Sequence, residues 1–171
     1  APSAIRSWII NPSLLSSRPC AAESGHPITR VKIYFAGSIR GGRDDQQKYF
    51  KLIEFLATRV EVLTEHVGNS KLGNQGEKVI TDQEIFKRDR DWLQSCDAVV
   101  AEVTNPSLGV GYEIGIAEKL GKPVLCLVDE KNTKFRLSAM LSGNPQIQVS
   151  FYPSLRDAEN LIIDFIQRLS G

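Results

Sequence analysis

Cysteine is scarce in this chain: among 171 residues there are three, Cys20, Cys96 and Cys126, with no Cys-x-x-Cys spacing. An odd, scattered set excludes a disulfide framework and argues against a zinc site. Histidine is scarcer still, and His26 and His66 stand too far apart for a metal cluster to be built on them. Cys96 follows an apolar helical pattern and Cys126 sits inside the run Val124 to Val128, so both read as small buried hydrophobes in a reducing compartment. Long apolar runs are missing too. Stretches such as Pro123 to Val128 are strand-sized, against the roughly 20 residues of a membrane span. Neither sign of charge dominates, with 21 basic and 20 acidic side chains, a net charge of +1 and no run of Lys or Arg. The electrostatic footprint of a duplex-binding or membrane-surface protein is absent, so neither a nucleic-acid polymer nor a membrane is expected as a partner.

An apolar fraction of 42% and a charged fraction of 24% are those of an ordinary globular domain, and the length suits one core. Residues 1–30 differ from the rest: Ser, Pro and Arg recur, Glu23 is the one acid, and no period is sustained. They are read as a flexible leader, faintly like an organellar transit segment, with residues 31–171 as the domain. The expected location is cytoplasm or nucleus, with a mitochondrion as the alternative should the leader be a targeting signal.

From Val31 onward, short apolar runs alternate with amphipathic helical patterns, the form taken by repeated βα units. Strands are predicted at Val31 to Ala36, Val60 to Thr64, Ala98 to Val103, Val124 to Val128 and Ile147 to Phe151. Tyr49, Leu52, Ile53 and Leu56 recur at helical spacing after the first. Thr81 and Glu84 form a capping box before Ile85, Trp92 and Leu93. A helix follows Pro106 and Gly109 and stops at Gly121, a short one covers Leu137 to Leu141, and Ser154 with Asp157 caps a last one. The expected fold is α/β: a doubly wound, mainly parallel five-stranded sheet, Rossmann-like or flavodoxin-like, with helices on both faces. Ligands in such sheets bind beyond the carboxyl ends of the strands. The glycines at 68, 73 and 76 mark a long loop of unassigned role.

Three of those carboxyl-end segments carry chemistry. Gly37 to Arg43 is neither Gly-x-Gly-x-x-Gly nor a Walker sequence, but it joins free backbone N–H groups, the Ser38 hydroxyl, Arg40 and Arg43 to a following helix N-terminus. It reads either as a site for one phosphate or as a plain glycine-rich turn. Ser107 and Gly109 precede the third helix and can face an anion, Gly111 permits close backbone approach, and Glu113 falls in or near the first helical turn, where any acid is favoured by the helix dipole. Asp89, four residues after Ile85 and three before Trp92, lies on the face expected to enter the core. It must pair with Arg88, Arg90 or another cation, or border a cleft that uses it. Two carboxylates at one cleft edge are the parts needed to cleave a glycosidic bond, and Tyr34 on the first strand can orient one of them.

Several strings here closely resemble a known family: Tyr34-Phe35-x-Gly37-Ser38-Ile39-Arg40-Gly41-Gly42-Arg43, Leu63-Thr64-Glu65-His66-Val67, Asp89 with Trp92-Leu93, Val100-Ala101-Glu102-Val103-Thr104 through Pro106-Ser107-Leu108-Gly109-Val110-Gly111-Tyr112-Glu113, and Leu137-Ser138-Ala139-Met140. Together they resemble the 2'-deoxynucleoside 5'-monophosphate N-hydrolases of the nucleoside 2-deoxyribosyltransferase superfamily, over nearly all of Val31 to Phe151. The resemblance implies hydrolysis of a deoxynucleotide to free base and 2-deoxyribose 5-phosphate, without metal or organic cofactor. It implies Glu113 as nucleophile, Asp89 as proton donor and Tyr34 as the residue orienting the nucleophile. Gly37, Ser38, Ile39, Arg40, Gly41, Ser107 and Gly109 would line the nucleotide or its phosphate. Ser138 and Met140 match a segment that the family supplies from the neighbouring subunit, which implies a homodimer. Substrates of the family include 5-hydroxymethyl-dUMP and purine deoxynucleotides.

Physical chemistry favours such roles: an ionised Glu113 captures the developing oxocarbenium ion as a glycosyl ester with net retention, while Asp89, desolvated beside Ile85 and Trp92, keeps a proton for the leaving base. Two alternatives are carried forward. One is a base-exchanging deoxyribosyltransferase, against which the phosphate-binding residues speak; the other is a non-catalytic nucleotide-binding module.

Overall fold

The computed structural model describes residues 31–38, 43–64, 81–132 and 136–169. The expected leader, the candidate nucleotide-binding residues Ile39, Arg40 and Gly41, and the glycine-bearing loop at 68–80 lie outside the described residues. Five strands alternate with helices: β1 (Lys32–Ala36), α1 (Arg43–Ala57), β2 (Glu61–Val62), α2 (Asp82–Ser95), β3 (Ala98–Glu102), α3 (Leu108–Lys119), β4 (Val124–Asp129), α4 (Ala139–Ser142), β5 (Ile147–Tyr152) and α5 (Leu155–Leu169). The sheet order is β2-β1-β3-β4-β5, the flavodoxin-like order. Every pairing is parallel, so "mainly parallel" becomes wholly parallel.

Burial on both faces explains why the inner strands read as apolar runs rather than alternations. Ile33, Phe35, Ala98, Val100, Leu125 and Leu127 point to the α1 and α5 side, where Leu52, Ile53, Leu56, Ile162 and Phe165 cover them. Tyr34, Ala36, Val99, Ala101, Val103, Cys126 and Val128 point to the other side, under Leu93, Val110, Ile114 and Ala117. Cys96 and Cys126 are buried and free.

The second strand is shorter than the expected Val60 to Thr64. Only Glu61–Val62 are regular strand, yet the ladder continues irregularly, since Leu63 N–H donates to Ile33 O at 3.0 Å and the Thr64 hydroxyl both accepts from Phe35 N–H and donates to Phe35 O, each at 3.0 Å. A side chain here replaces a backbone partner. The capping box at Thr81 is present, with Thr81 N–H donating to Glu84 Oε2 at 2.9 Å and Glu84 N–H to Thr81 Oγ1 at 3.3 Å. Gly121 ends the α3 region with φ +67, a left-handed conformation that glycine adopts without a Cβ penalty.

Candidate active site

The decisive contact spans 79 residues of sequence: the Tyr34 hydroxyl donates to Glu113 Oε1 at 2.9 Å. Tyr34 comes from the middle of β1 and is 2% exposed, because β1 lies between two neighbours and its even-numbered residues face α2 and α3. Glu113 comes from the second turn of α3, just past the first turn that its place in the sequence pointed to, and is partly buried.

That displacement changes the electrostatics. In the second turn the helix dipole contributes little, and burial pushes the Glu113 carboxyl up to about 7 from an ordinary 4.5, with the Tyr34 hydrogen bond opposing the rise and the nearby Asp89 charge adding to it. The expectation that the helix N-terminus keeps Glu113 readily ionised is therefore corrected: desolvation wins. Burial also drives Tyr34 upward, and the Glu113 and Asp89 charges reinforce it, so Tyr34 is a fixed donor at any physiological pH.

Of the alternatives left open by its spacing, the structure shows Asp89 in the ion pair. Arg88 Nε donates to Asp89 Oδ1 at 3.0 Å, and Asp89 is close enough for its charge to bear on both Glu113 and Tyr34. The apolar surroundings expected for it are not there. Ile85 is 37% exposed and does not enter the core, while Trp92 carries the Arg88 guanidinium 4.7 Å from its ring centre. Only Leu93 of α2 is fully buried, so this helix lies shallowly and leaves Asp89 half-buried.

A cleft of about 490 Å³ opens beyond the carboxyl ends of β3 and β4. One wall is the loop from Val103 to Ser107, the floor includes Val110, Gly111 and Ile114 of α3, and the far wall is formed by Arg136, Leu137, Ser138 and Met140. Glu113 does not line it, but stands on α3, the helix whose Val110, Gly111 and Ile114 do. Ser107 and Ser138 are both helix N-caps, accepting from Val110 N–H at 3.4 Å and Met140 N–H at 3.3 Å. Their hydroxyl protons are left for a ligand. One chain thus brings Ser107, Ser138 and Met140 to a common cleft. At Gly109 an added Cβ would meet only Ser107 Oγ at 3.8 Å and at Gly111 nothing within 4 Å, so protein packing does not demand glycine at either position. Gly37 differs, since a Cβ there would stand 3.2 Å from the Phe35 ring and 3.4 Å from Tyr49. Ser38 is buried just beyond the carboxyl end of β1.

Sequence reasoning gave no role to Glu102, Thr104, Lys48, Asp129 and Tyr152, which join in a buried polar group on the opposite face of the sheet. A signal existed: Glu102 is the one charge in an otherwise apolar strand buried on both faces.

The nucleoside 2-deoxyribosyltransferase family profile matches residues 33–150. The chain belongs to this family. Among curated proteins it is similar to the 5-hydroxymethyl-dUMP N-hydrolases of Tetraodon nigroviridis, 54% identical over 66% of this chain and 80% of that one, and of Homo sapiens, 45% identical over 77% and 75%. Among solved structures, the fold is shared with a CMP N-glycosidase of Clostridium botulinum, with a TM-score of 0.56 and 20% identity over 78% of this chain and 98% of that one. It is also shared with a 2-deoxyribosyltransferase of Bacillus psychrosaccharolyticus, at 0.54 and 19% over 76% and 91%. In this nucleoside 2-deoxyribosyltransferase family member, Tyr34, Asp89, Glu113 and the cleft-lining serines all fall inside the matched span.

Proposed function

We propose that this protein is an N-glycosidase that hydrolyses 2'-deoxynucleoside 5'-monophosphates, 5-hydroxymethyl-dUMP among them, to the free base and 2-deoxyribose 5-phosphate. The observation that carries the reading is the Tyr34 hydroxyl fixed on a partly buried Glu113 with a second carboxylate, Asp89, in its field. The curated relatives named 5-hydroxymethyl-dUMP N-hydrolase support the choice of hydrolysis and of substrate class.

Glu113, as carboxylate, attacks C1' while the bond to the base breaks, forming a glycosyl ester; the base leaves with a proton delivered from solvent through the oxygen of Asp89 that Arg88 does not hold. Water then cleaves the ester and returns the original configuration. Tyr34 donates to one oxygen of Glu113 and holds the other toward the sugar. A 2'-deoxy sugar lacks the hydroxyl that would oppose positive charge at C1', so it is the easier substrate. Ser38 and Ser107, with Arg40, bind the 5'-phosphate, and that binding energy fixes the sugar for attack.

A homodimer completes the site in this reading. Leu108 is 96% and Met140 80% exposed beside the cleft, with Tyr112 also exposed, an apolar rim of the kind a second copy covers. Sedimentation measures this directly, and a monomer at assay concentration would remove the shared-site arrangement.

The test is a panel of deoxy- and ribonucleoside monophosphates with detection of released base, run with and without added free purine. Sugar phosphate as product supports hydrolysis, a new nucleotide supports base exchange, and tight binding without turnover supports the non-catalytic module. Mass spectrometry of quenched protein should find the deoxyribosyl adduct on Glu113; an adduct elsewhere would overturn the mechanism.

A further inference from the structure

Five polar side chains from four segments converge under the carboxyl ends of β3, β4 and β5, on the sheet face opposite the Tyr34–Glu113 pair. Glu102, the last residue of β3, is 0% exposed. Its Oε1 accepts the Tyr152 hydroxyl at 2.9 Å and the Thr104 hydroxyl. Lys48 Nζ, from α1, lies 3.8 Å from that oxygen and 3.0 Å from Asp129 Oδ2. Thr104 Oγ1 in turn accepts the Asp129 backbone N–H at 2.8 Å. Taking this carboxylate and ammonium out of water is costly, and apolar residues of similar volume commonly hold a core as well or better. A role besides stability is therefore to be sought.

The group sits at the root of the cleft. Thr104 is at once a partner of Glu102 and a cleft-lining residue, and the chain continues from it through Asn105 and Pro106 to Ser107. Asp129 ends β4, and the chain leaving it supplies Arg136, Ser138 and Met140 to the far wall. One buried carboxylate thus ties together the bases of both walls. We propose that Glu102 is a positioning residue: acting through Thr104, it sets the separation of the two cleft walls and so governs how tightly substrate is held beside Glu113. The substrate part of this proposal rests on the hydrolase reading; the mechanical tie between the walls does not.

The experiment uses the full chain with E102Q and Y152F, hydrogen–deuterium exchange, and kinetics with 5-hydroxymethyl-dUMP as the probe. Gln keeps an acceptor oxygen but removes the charge facing Lys48. In E102Q, exchange should rise about fivefold in both segments 103–109 and 136–141, while β1 and α5 stay unchanged. KM should rise about five- to tenfold with kcat within about twofold of wild type. Y152F removes one hydroxyl without touching charge and should give the same pattern at smaller size; it decides the matter if E102Q fails to fold. Faster exchange in one wall only, a fall in kcat at constant KM, or a lower melting temperature with unchanged exchange in both walls would each overturn the proposal. A wild-type protein that cleaves no deoxynucleotide would overturn the hydrolase reading instead, and the exchange measurement would still decide the role of Glu102.

Discussion

Two tyrosine–glutamate hydrogen bonds of 2.9 Å, Tyr34 to Glu113 and Tyr152 to Glu102, lie on opposite faces of one sheet near the same edge. Their surroundings differ. Glu102 is fully buried, takes a second hydroxyl from Thr104 and has Lys48 within ion-pair range. Glu113 is partly buried, and no cation among the described residues lies within ion-pair distance of it; the charge that bears on it is the like charge of Asp89. A carboxylate given a cation and several donors becomes a structural anchor. One that burial desolvates, with a single donor opposing the rise and a like charge adding to it, is left with a carboxyl pushed up to about 7, able to gain and lose a proton at working pH.

The sharpest way to break this contrast is Glu113→Gln, which should lower turnover by roughly 10³-fold or more while deoxynucleotide binding, measured by calorimetry, persists. Retained turnover would make the two pairs equivalent. Next in size, Tyr34→Phe should cost about 10- to 100-fold in kcat, because the nucleophile loses its orientation. It should also move the ascending limb of the pH–rate profile to higher pH, since the Tyr34 hydrogen bond lowers the Glu113 carboxyl; in wild type that limb should rise through about 7. Tyr152→Phe should leave the limb where it is and lower stability by about 1–2 kcal/mol in urea unfolding, the cost of a lost buried hydrogen bond.

The smallest effect concerns stability against pH. Glu113 holds its proton more tightly folded than unfolded, so the folded state binds the more protons and its stability falls as pH rises from about 4.5 to about 7. Glu113→Gln should therefore stabilise the protein at pH 8, by about 1 kcal/mol or somewhat more, and leave it nearly unchanged at pH 4. Chemical denaturation at both pH values checks the sign, and destabilisation at pH 8 would mean that the pocket favours the charge.

Much of the molecule could be read before any coordinates. Burial of parallel strands on two faces leaves apolar runs that identify themselves, and the Thr81 to Glu84 box and Gly121 announce helix ends through strictly local chemistry. Asp89, on a helix face with Trp92, was recognisable as a charge needing an explanation, and its partner Arg88 is its immediate neighbour. What failed was whatever depended on depth. Ile85 fits the apolar spacing of α2 yet points outward, because the helix lies shallowly; Glu113 lies near a dipole-favoured turn yet burial outweighs the dipole there. The Glu102 group escaped entirely, since its members are scattered from residue 48 to residue 152 and only one of them breaks a local pattern.

Local order, then, belongs to the amino-acid sequence itself: strand and helix alternation, helix caps, and a pair of acids confined to the carboxyl ends of strands by the geometry of βα units. Tertiary structure alone decided which acid stays with a cation and which is stranded near neutrality, because proton affinity depends on distances across the sheet and on the water excluded there. Neither quantity exists until residues far apart in the chain have packed together.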